Sequence, residues 1–165
     1  MSTRENPIIL PAVESDIPTI LELIRGIAEY EKLSHEVVAT EDLLREHLFG
    51  AHPKAEVRIA RLGEKPVGFA LFFHNFSTFV GLPGIYLEDL FVLPEFRGRG
   101  IGKALLKELA KIAVERKCGR LEWSVLDWNK PAIGFYESLG AEPISEWTIY
   151  RMTETEIKRL AQSEI

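Results

Sequence analysis

Hydrophobic positions along this chain come in two rhythms. "IILPAV" (Ile8 to Val13) is a short apolar run that predicts a first strand. Apolar residues then recur at Ile17, Ile20, Leu21, Ile24 and Ile27, the stripe of an amphipathic helix, with Ser15 as its cap and Asp16 and Pro18 in its first turn. Thr40 is placed to cap a second, short helix, "EDLLREHLF". "EVRIARL" and "PVGFALFFHNF" predict two strands joined by the turn "GEK". "GIYLEDLFVL" (Gly84 to Leu93) predicts another strand, ended by Pro94. A second helical stripe at Ile101, Leu105, Leu109 and Ile112 predicts a helix from about Ile101 to Lys117, which Gly119 stops. "RLEWSVL" (Arg120 to Leu126) is a strand, and Asn129 caps a helix through Leu139, with Pro131 in its first turn and Gly140 at its end. "EWTIYRM" predicts the last strand, and Thr153 and Glu156 have the spacing of a capping box for a C-terminal helix.

The resulting order is β α α β β β α β α β. The strand–helix–strand from Gly84 to Leu126 requires a right-handed crossover between parallel strands, whereas the earlier strands are hairpin-linked and antiparallel. A mixed α/β sheet in one domain, 1–165, follows. With 165 residues, 46% of them hydrophobic and 27% charged, the chain has the length and composition for such a core. No apolar run approaches the ~20 residues that span a bilayer. "MSTRENPIILPAVESD" lacks the basic and apolar regions of a signal peptide. Cys118 is the only cysteine, so no intrachain disulfide forms and a cytoplasmic location is expected. The net charge of −5 argues against general nucleic-acid binding and mildly favours cationic partners.

One stretch carries candidate chemistry: "FRGRGIGKALL", Phe96 to Leu106. A P-loop requires glycine six residues before the lysine and Ser or Thr after it, but Arg97 and Ala104 occupy those places around Lys103. A dinucleotide fingerprint requires G-x-G-x-x-G, and the alternating Gly98, Gly100 and Gly102 do not supply it. What remains is R-x-x-G-x-G: Arg97, Gly100, Gly102. The stretch opens a helix, so unpaired N–H groups and the positive end of the helix dipole favour an anion. Arg97, Arg99 and Lys103 add positive charge. The competing reading is a glycine-rich connection with solvated basic side chains.

"LEDLFVLPEFRGRGIGKALL" followed by "DWNKPAIGFYESLGA" resembles the GCN5-related N-acetyltransferases. Together with "ELIRGIAEYEKL" and Trp147, these stretches look like the diamine acetyltransferase branch, similar to spermidine/spermine acetyltransferases. The resemblance covers roughly Ile8 to Met152. It implies a mixed, mainly antiparallel sheet whose central parallel crossover splays to bind coenzyme A, and acetyl-CoA as cosubstrate. It assigns the pyrophosphate to the loop Arg97, Gly98, Arg99, Gly100, Ile101, Gly102 and Lys103. Main-chain N–H groups of Leu90, Phe91 and Val92 would hold the pantetheine amide and acetyl carbonyl. Asn129, Pro131, Ala132 and Tyr136 would complete the coenzyme A site.

Acetyl transfer to an amine needs a proton acceptor, donors for the developing oxyanion and an acid for the leaving thiolate. Side chains alternate along a strand, so only one of Glu88 and Asp89 is expected to face the cleft. The resemblance makes it Glu88, the candidate base, with Asp89 on the other face; the alternative is a pair of edge charges. Tyr136 matches the family's general acid, and a phenol of ordinary pKa, ~10, suits a thiolate leaving group. Its alternative is a core aromatic at helical spacing. Tyr30 and Glu31 match residues that line the acceptor site, and Glu146 lies beside Trp147 where polyamine enzymes carry a longer acidic loop. This sequence is shorter there, and some members of the branch take thialysine-like amino acids. The four histidines, His35, His47, His52 and His74, have no metal-ligand spacing, so no metal is expected, and Cys118 reads as structural. The expected function is acetyl transfer to a small cationic amine in a ternary complex, by a homodimer that binds no nucleic acid or membrane. The alternatives are a peptide or protein N-acetyltransferase and a non-catalytic coenzyme A sensor.

Overall fold

A computed structural model of the chain describes residues 6–163. They fall into two compact units, one up to Leu126 and one from Asp127 on.

The first unit is built on a five-stranded sheet in simple sequential order: β1 (Ile8–Pro11), β2 (Glu56–Leu62), β3 (Lys65–Ser77), β4 (Leu82–Val92) and β5 (Arg120–Trp123). The first four strands are antiparallel neighbours, and β4 and β5 are parallel. Between them runs α3 (Ile101–Glu115), the crossover that parallel pairing demands. Its predicted stripe, Ile101, Leu105, Leu109 and Ile112, is buried throughout. α1 (Ile17–Tyr30) buries Ile17, Ile20, Leu21, Leu23 and Ala28. Ile20 and Leu23 join Val57, Ile59, Phe69, Leu71 and Phe91 in one apolar cluster, so one face of the sheet is sealed by α1. α2 (Glu41–Leu44) is capped by Thr40, whose hydroxyl accepts from the Leu43 N–H at 3.3 Å, and it widens into a π turn over Arg45–Phe49.

Two boundaries differ from expectation. Ser15 lies within a 3-10 turn (Glu14–Asp16) that leads into α1, and Asp16 turns back to accept from the Val13 N–H at 3.0 Å. At the end of α3 it is Lys117, not Gly119, that takes the left-handed conformation (φ 55°), while the Cys118 N–H returns to the Ala113 carbonyl at 2.8 Å. Arg116 then clamps the helix end to the sheet through Glu56 and His74.

The second unit holds α4 (Lys130–Ser138) and α5 (Glu154–Ala161). Asn129 caps α4, accepting from the Ala132 N–H at 3.4 Å, and Thr153 and Glu156 form the expected capping box at α5. The expected last strand does not form: residues 146–152 are irregular, with Trp147, Ile149 and Tyr150 exposed at 73%, 76% and 93%. A strand exists only through its ladder, and this segment has none.

Candidate active site

β3 and β4 pair regularly except at one point. Leu71 faces Asp89 while the next residue of β3, Phe72, faces Leu87. Glu88 is therefore the extra residue of a β-bulge. β3 is regular from Gly68 to Phe72, so Leu71 and Phe72 lie on opposite faces, and the bulge switches the face of β4. Beyond it, Asp89 and Phe91 share the α1 face with their partners Leu71 and Phe69. Asp89 is expected on the face opposite Glu88, and the register places it on the face that α1 covers. Simple alternation does not survive a bulge.

The carboxyl of Asp89 is half-buried and its pKa is raised to about 6, first by that burial and then by the negative charges of Glu88 and Glu31. Glu31, the C-terminal cap of α1, is also pushed up by burial. Glu88 is exposed. The negative charges of Glu31, at the end of α1, and Glu88, at the bulge of β4, are thus felt at Asp89, a potential that favours a cation. The sequence reading named Asp89 but gave it no role in the site. Its signal was two adjacent carboxylates inside an apolar strand.

The ladder between β4 and β5 stops at the same place, at Leu87 opposite Trp123. From Glu88 to Val92, β4 has no parallel partner, as the expected splay requires. Strand β5 is accordingly shorter than the run to Leu126 predicted for it. Leu90 and Val92 are half-buried and Phe91 is in the core, so main-chain groups rather than side chains are what this stretch offers a ligand.

The glycine-rich connection follows directly. Gly98 (φ 72°) and Gly100 (φ 83°) take left-handed conformations, and a Cβ on either would meet nothing within 4 Å. The glycines thus answer to backbone conformation and leave open space around the chain. Gly100 is also the N-terminal cap of α3 and brings no side chain to its first-turn N–H groups. Ile101 is buried, so only its backbone is available there, whereas Gly102 is half-buried and Lys103 exposed. Arg97 and Arg99 flank this helix end. Arg97 donates from Nε to the Val92 carbonyl at 2.9 Å, and its guanidinium lies 4.4 Å from the Tyr30 ring centre and 5.4 Å from that of Phe91. Arg99 lies over Phe96 at 5.1 Å. Open space, uncapped N–H groups and two arginines suit a phosphate-bearing ligand.

In the second unit, Asn129 is buried, Ala132 and Tyr136 are half-buried, and Pro131 is exposed. Tyr136 packs against Phe135 with ring centres 5.4 Å apart. Glu146 is exposed in the irregular segment. The structure brings Tyr30, Glu31, Glu88 and the Arg97–Lys103 loop onto one unit, and Asn129, Pro131, Ala132, Tyr136 and Glu146 onto the other. No helix among the described residues is long and apolar enough to cross a membrane, and no group of three or more metal-ligating side chains is gathered among them.

Comparison with known proteins assigns this arrangement. The family model described as "Acetyltransferase (GNAT) family" matches residues 18–141. A thialysine N-epsilon-acetyltransferase of Bos taurus is 40% identical over 164 residues, covering 93% of this chain and 96% of that protein. An L-ornithine N5-acetyltransferase of Arabidopsis thaliana is 33% identical, covering 86% of this chain and 82% of that protein. Among solved structures, an integron cassette protein of V. cholerae superposes with a TM-score of 0.80 at 30% identity, covering 95% of this chain and 98% of that one. The bulged strand, the R-x-x-G-x-G helix start and these likenesses agree: the chain belongs to the GNAT acetyltransferase family and is an N-acetyltransferase.

Proposed function

We propose that this enzyme transfers acetyl from acetyl-CoA to the primary amine of a small cationic acceptor, a diamine or a thialysine- or ornithine-like amino acid. The observation that carries the reading is the bulge at Glu88, where β4 loses its parallel partner beside the carboxylates of Glu31 and Asp89. The names of the thialysine and ornithine acetyltransferases to which the chain is similar support a basic amino-acid acceptor. So does the negative charge of Glu31 and Glu88 felt at Asp89.

Acetyl-CoA supplies the thioester when bound. The N–H groups at the start of α3, with Arg97, Arg99 and Lys103, hold its pyrophosphate. N–H groups alternate in direction along β4, so those of Leu90 and Val92 donate to the pantetheine amide and the acetyl carbonyl, while that of Phe91 faces β3. Asn129, Pro131 and Ala132 support the coenzyme A arm. Glu31, Glu88 and Asp89 attract the ammonium of the acceptor, with Tyr30 and Glu146 lining its approach. Glu88 takes the proton that the amine must lose, directly or through water, and Tyr136 gives its phenolic proton to the departing sulfur. The amine nitrogen thereby gains the acyl carbon as the C–S bond breaks, with no covalent enzyme intermediate.

We further propose that both units belong to one catalytic domain, since the family match at 18–141 runs across Leu126. The enzyme works as a cytoplasmic homodimer. Exposed Phe76, Phe79 and Val80 at the tip of the β3–β4 hairpin give two copies apolar surface to share. Light scattering of the purified protein tests this, and a monomer at micromolar concentration would remove it.

Thiol release from acetyl-CoA across a panel of thialysine, lysine, ornithine, putrescine, spermidine and a basic peptide tests the main reading. Preferred turnover of one small amine is expected. Preference for the peptide would replace the acceptor class. Binding of acetyl-CoA with no turnover on any amine would be the behaviour of a coenzyme A sensor.

A further inference from the structure

The Arg97 guanidinium is not simply aimed at solvent. Its Nε is tied to the Val92 carbonyl at 2.9 Å, and the face of its plane is set against Tyr30 at 4.4 Å from the ring centre, with Phe91 at 5.4 Å. The bond to Val92 uses one of the five N–H donors of an arginine. An arginine held in this way has lost much of its rotamer freedom before any ligand arrives. Tyr30 closes α1 and is followed directly by Glu31, whose charge is felt at Asp89. The residue that stacks on the arginine of the connection is therefore the chain neighbour of a carboxylate of the proposed amine site.

We propose that Tyr30 is a positioning residue for the phosphate-binding loop: its ring holds the Arg97 guanidinium in place and so couples coenzyme A binding to acceptor binding. This rests on the reading of the Arg97–Lys103 connection as the pyrophosphate site. The coupling has a definite sign. An uncompensated guanidinium close to the end of α1 opposes an incoming ammonium. Once Arg97 is paired with phosphate, that opposition falls and the carboxylates act on the acceptor alone. Coenzyme A therefore tightens acceptor binding, and by reciprocity the acceptor tightens coenzyme A.

Calorimetric titration with coenzyme A, with and without the preferred amine, tests the proposal on the full chain and on Tyr30→Leu, Tyr30→Phe, Arg97→Met and Tyr30→Leu/Arg97→Met. A cation–π contact of ordinary strength predicts that Tyr30→Leu weakens coenzyme A about 3- to 10-fold. Tyr30→Phe, which keeps the ring, is expected to bind it within about 2-fold of the parent protein. In the Arg97→Met background, Tyr30→Leu is expected to add nothing. The tightening of the amine by coenzyme A is expected to shrink in Tyr30→Leu. Thermal denaturation of each variant identifies a loss that comes from misfolding, and Tyr30→Phe carries the proposal if Tyr30→Leu does not fold. Wild-type affinity in Tyr30→Leu, equal losses in the Leu and Phe variants, or additive losses in the double variant would each overturn the positioning role. Absence of coenzyme A binding by the parent protein would instead overturn the proposed function beneath it.

Discussion

The two units of this chain are packed very differently. Every buried apolar residue described lies between Ile17 and Ile112, in the first unit. The second unit, from Asp127 on, has a single buried residue, Asn129, and that one is polar and spent on capping α4. Glu31, Glu88, Asp89 and the Arg97–Lys103 connection therefore sit on a scaffold with a core of its own, whereas the candidate acid Tyr136 sits on elements with little among the described residues. Precision at a site comes from the rigidity of what carries it. The base side of the proposed reaction is preorganised by the first unit itself.

Substitutions can break or sharpen this contrast. The largest effect is expected in the sheet: Phe69→Ala, fully buried between the α1 cluster and β4, is expected to cost about 3–5 kcal/mol in chemical denaturation. Ile149→Ala is expected to stay within about 0.5 kcal/mol. Equal losses at the two positions would erase the distinction between the units. Tyr136→Phe is next, with kcat expected to fall roughly 10²-fold at unchanged melting temperature. An undiminished kcat would remove the acid role.

Asp89→Asn probes the strained side of the scaffold. Its folded pKa of about 6 lies above the ordinary carboxylate value, so the native state binds more protons than the unfolded chain between about pH 4 and 6. Stability is therefore lost as pH rises through that window. Asp89→Asn is expected to be more stable than the parent by about 1–3 kcal/mol at pH 7.5, with the gain fading toward pH 4. The same variant is expected to weaken the amine, and to flatten the improvement in its KM as pH passes about 6. A pH-independent stability difference would refute the assignment. The smallest effect is expected at Arg116→Ala. Arg116 lowers the pKa of the partly exposed Glu56, so the pair's contribution, about 0.5 kcal/mol, is present at neutral pH and lost as pH falls below about 4.

Much of this architecture can be read from local pattern. The inward stripe of α3 and the caps Thr40 and Asn129 depend on spacing and on one side chain each, and they stand where spacing puts them. Three features do not follow from local pattern. The left-handed stop falls on Lys117 although a glycine stands two residues on, because the α3 end is held by Arg116 on Glu56 and His74. The bulge at Glu88 is a property of register between two strands, and neither strand alone encodes it. "EWTIYRM" has the composition of a strand, but composition supplies no partner edge. In the candidate site, the glycine-rich start of α3 was legible because its glycines act through backbone conformation. The placement of Asp89 with Glu31 was not, because it needs the bulge.

The parting of β4 from β5 also bears on self-association. Five residues of β4, Glu88 to Val92, present an open strand edge among the described residues, flanked by apolar side chains, and such an edge is a template for another chain. Its protections are those used against aggregation: the stretch is short, a bulge twists its start, a charged residue stands at that bulge, and Pro94 follows its end. Glu88 thus guards the edge that it would serve in catalysis, so trading it for an apolar residue would expose the chain to self-association as well as silence it.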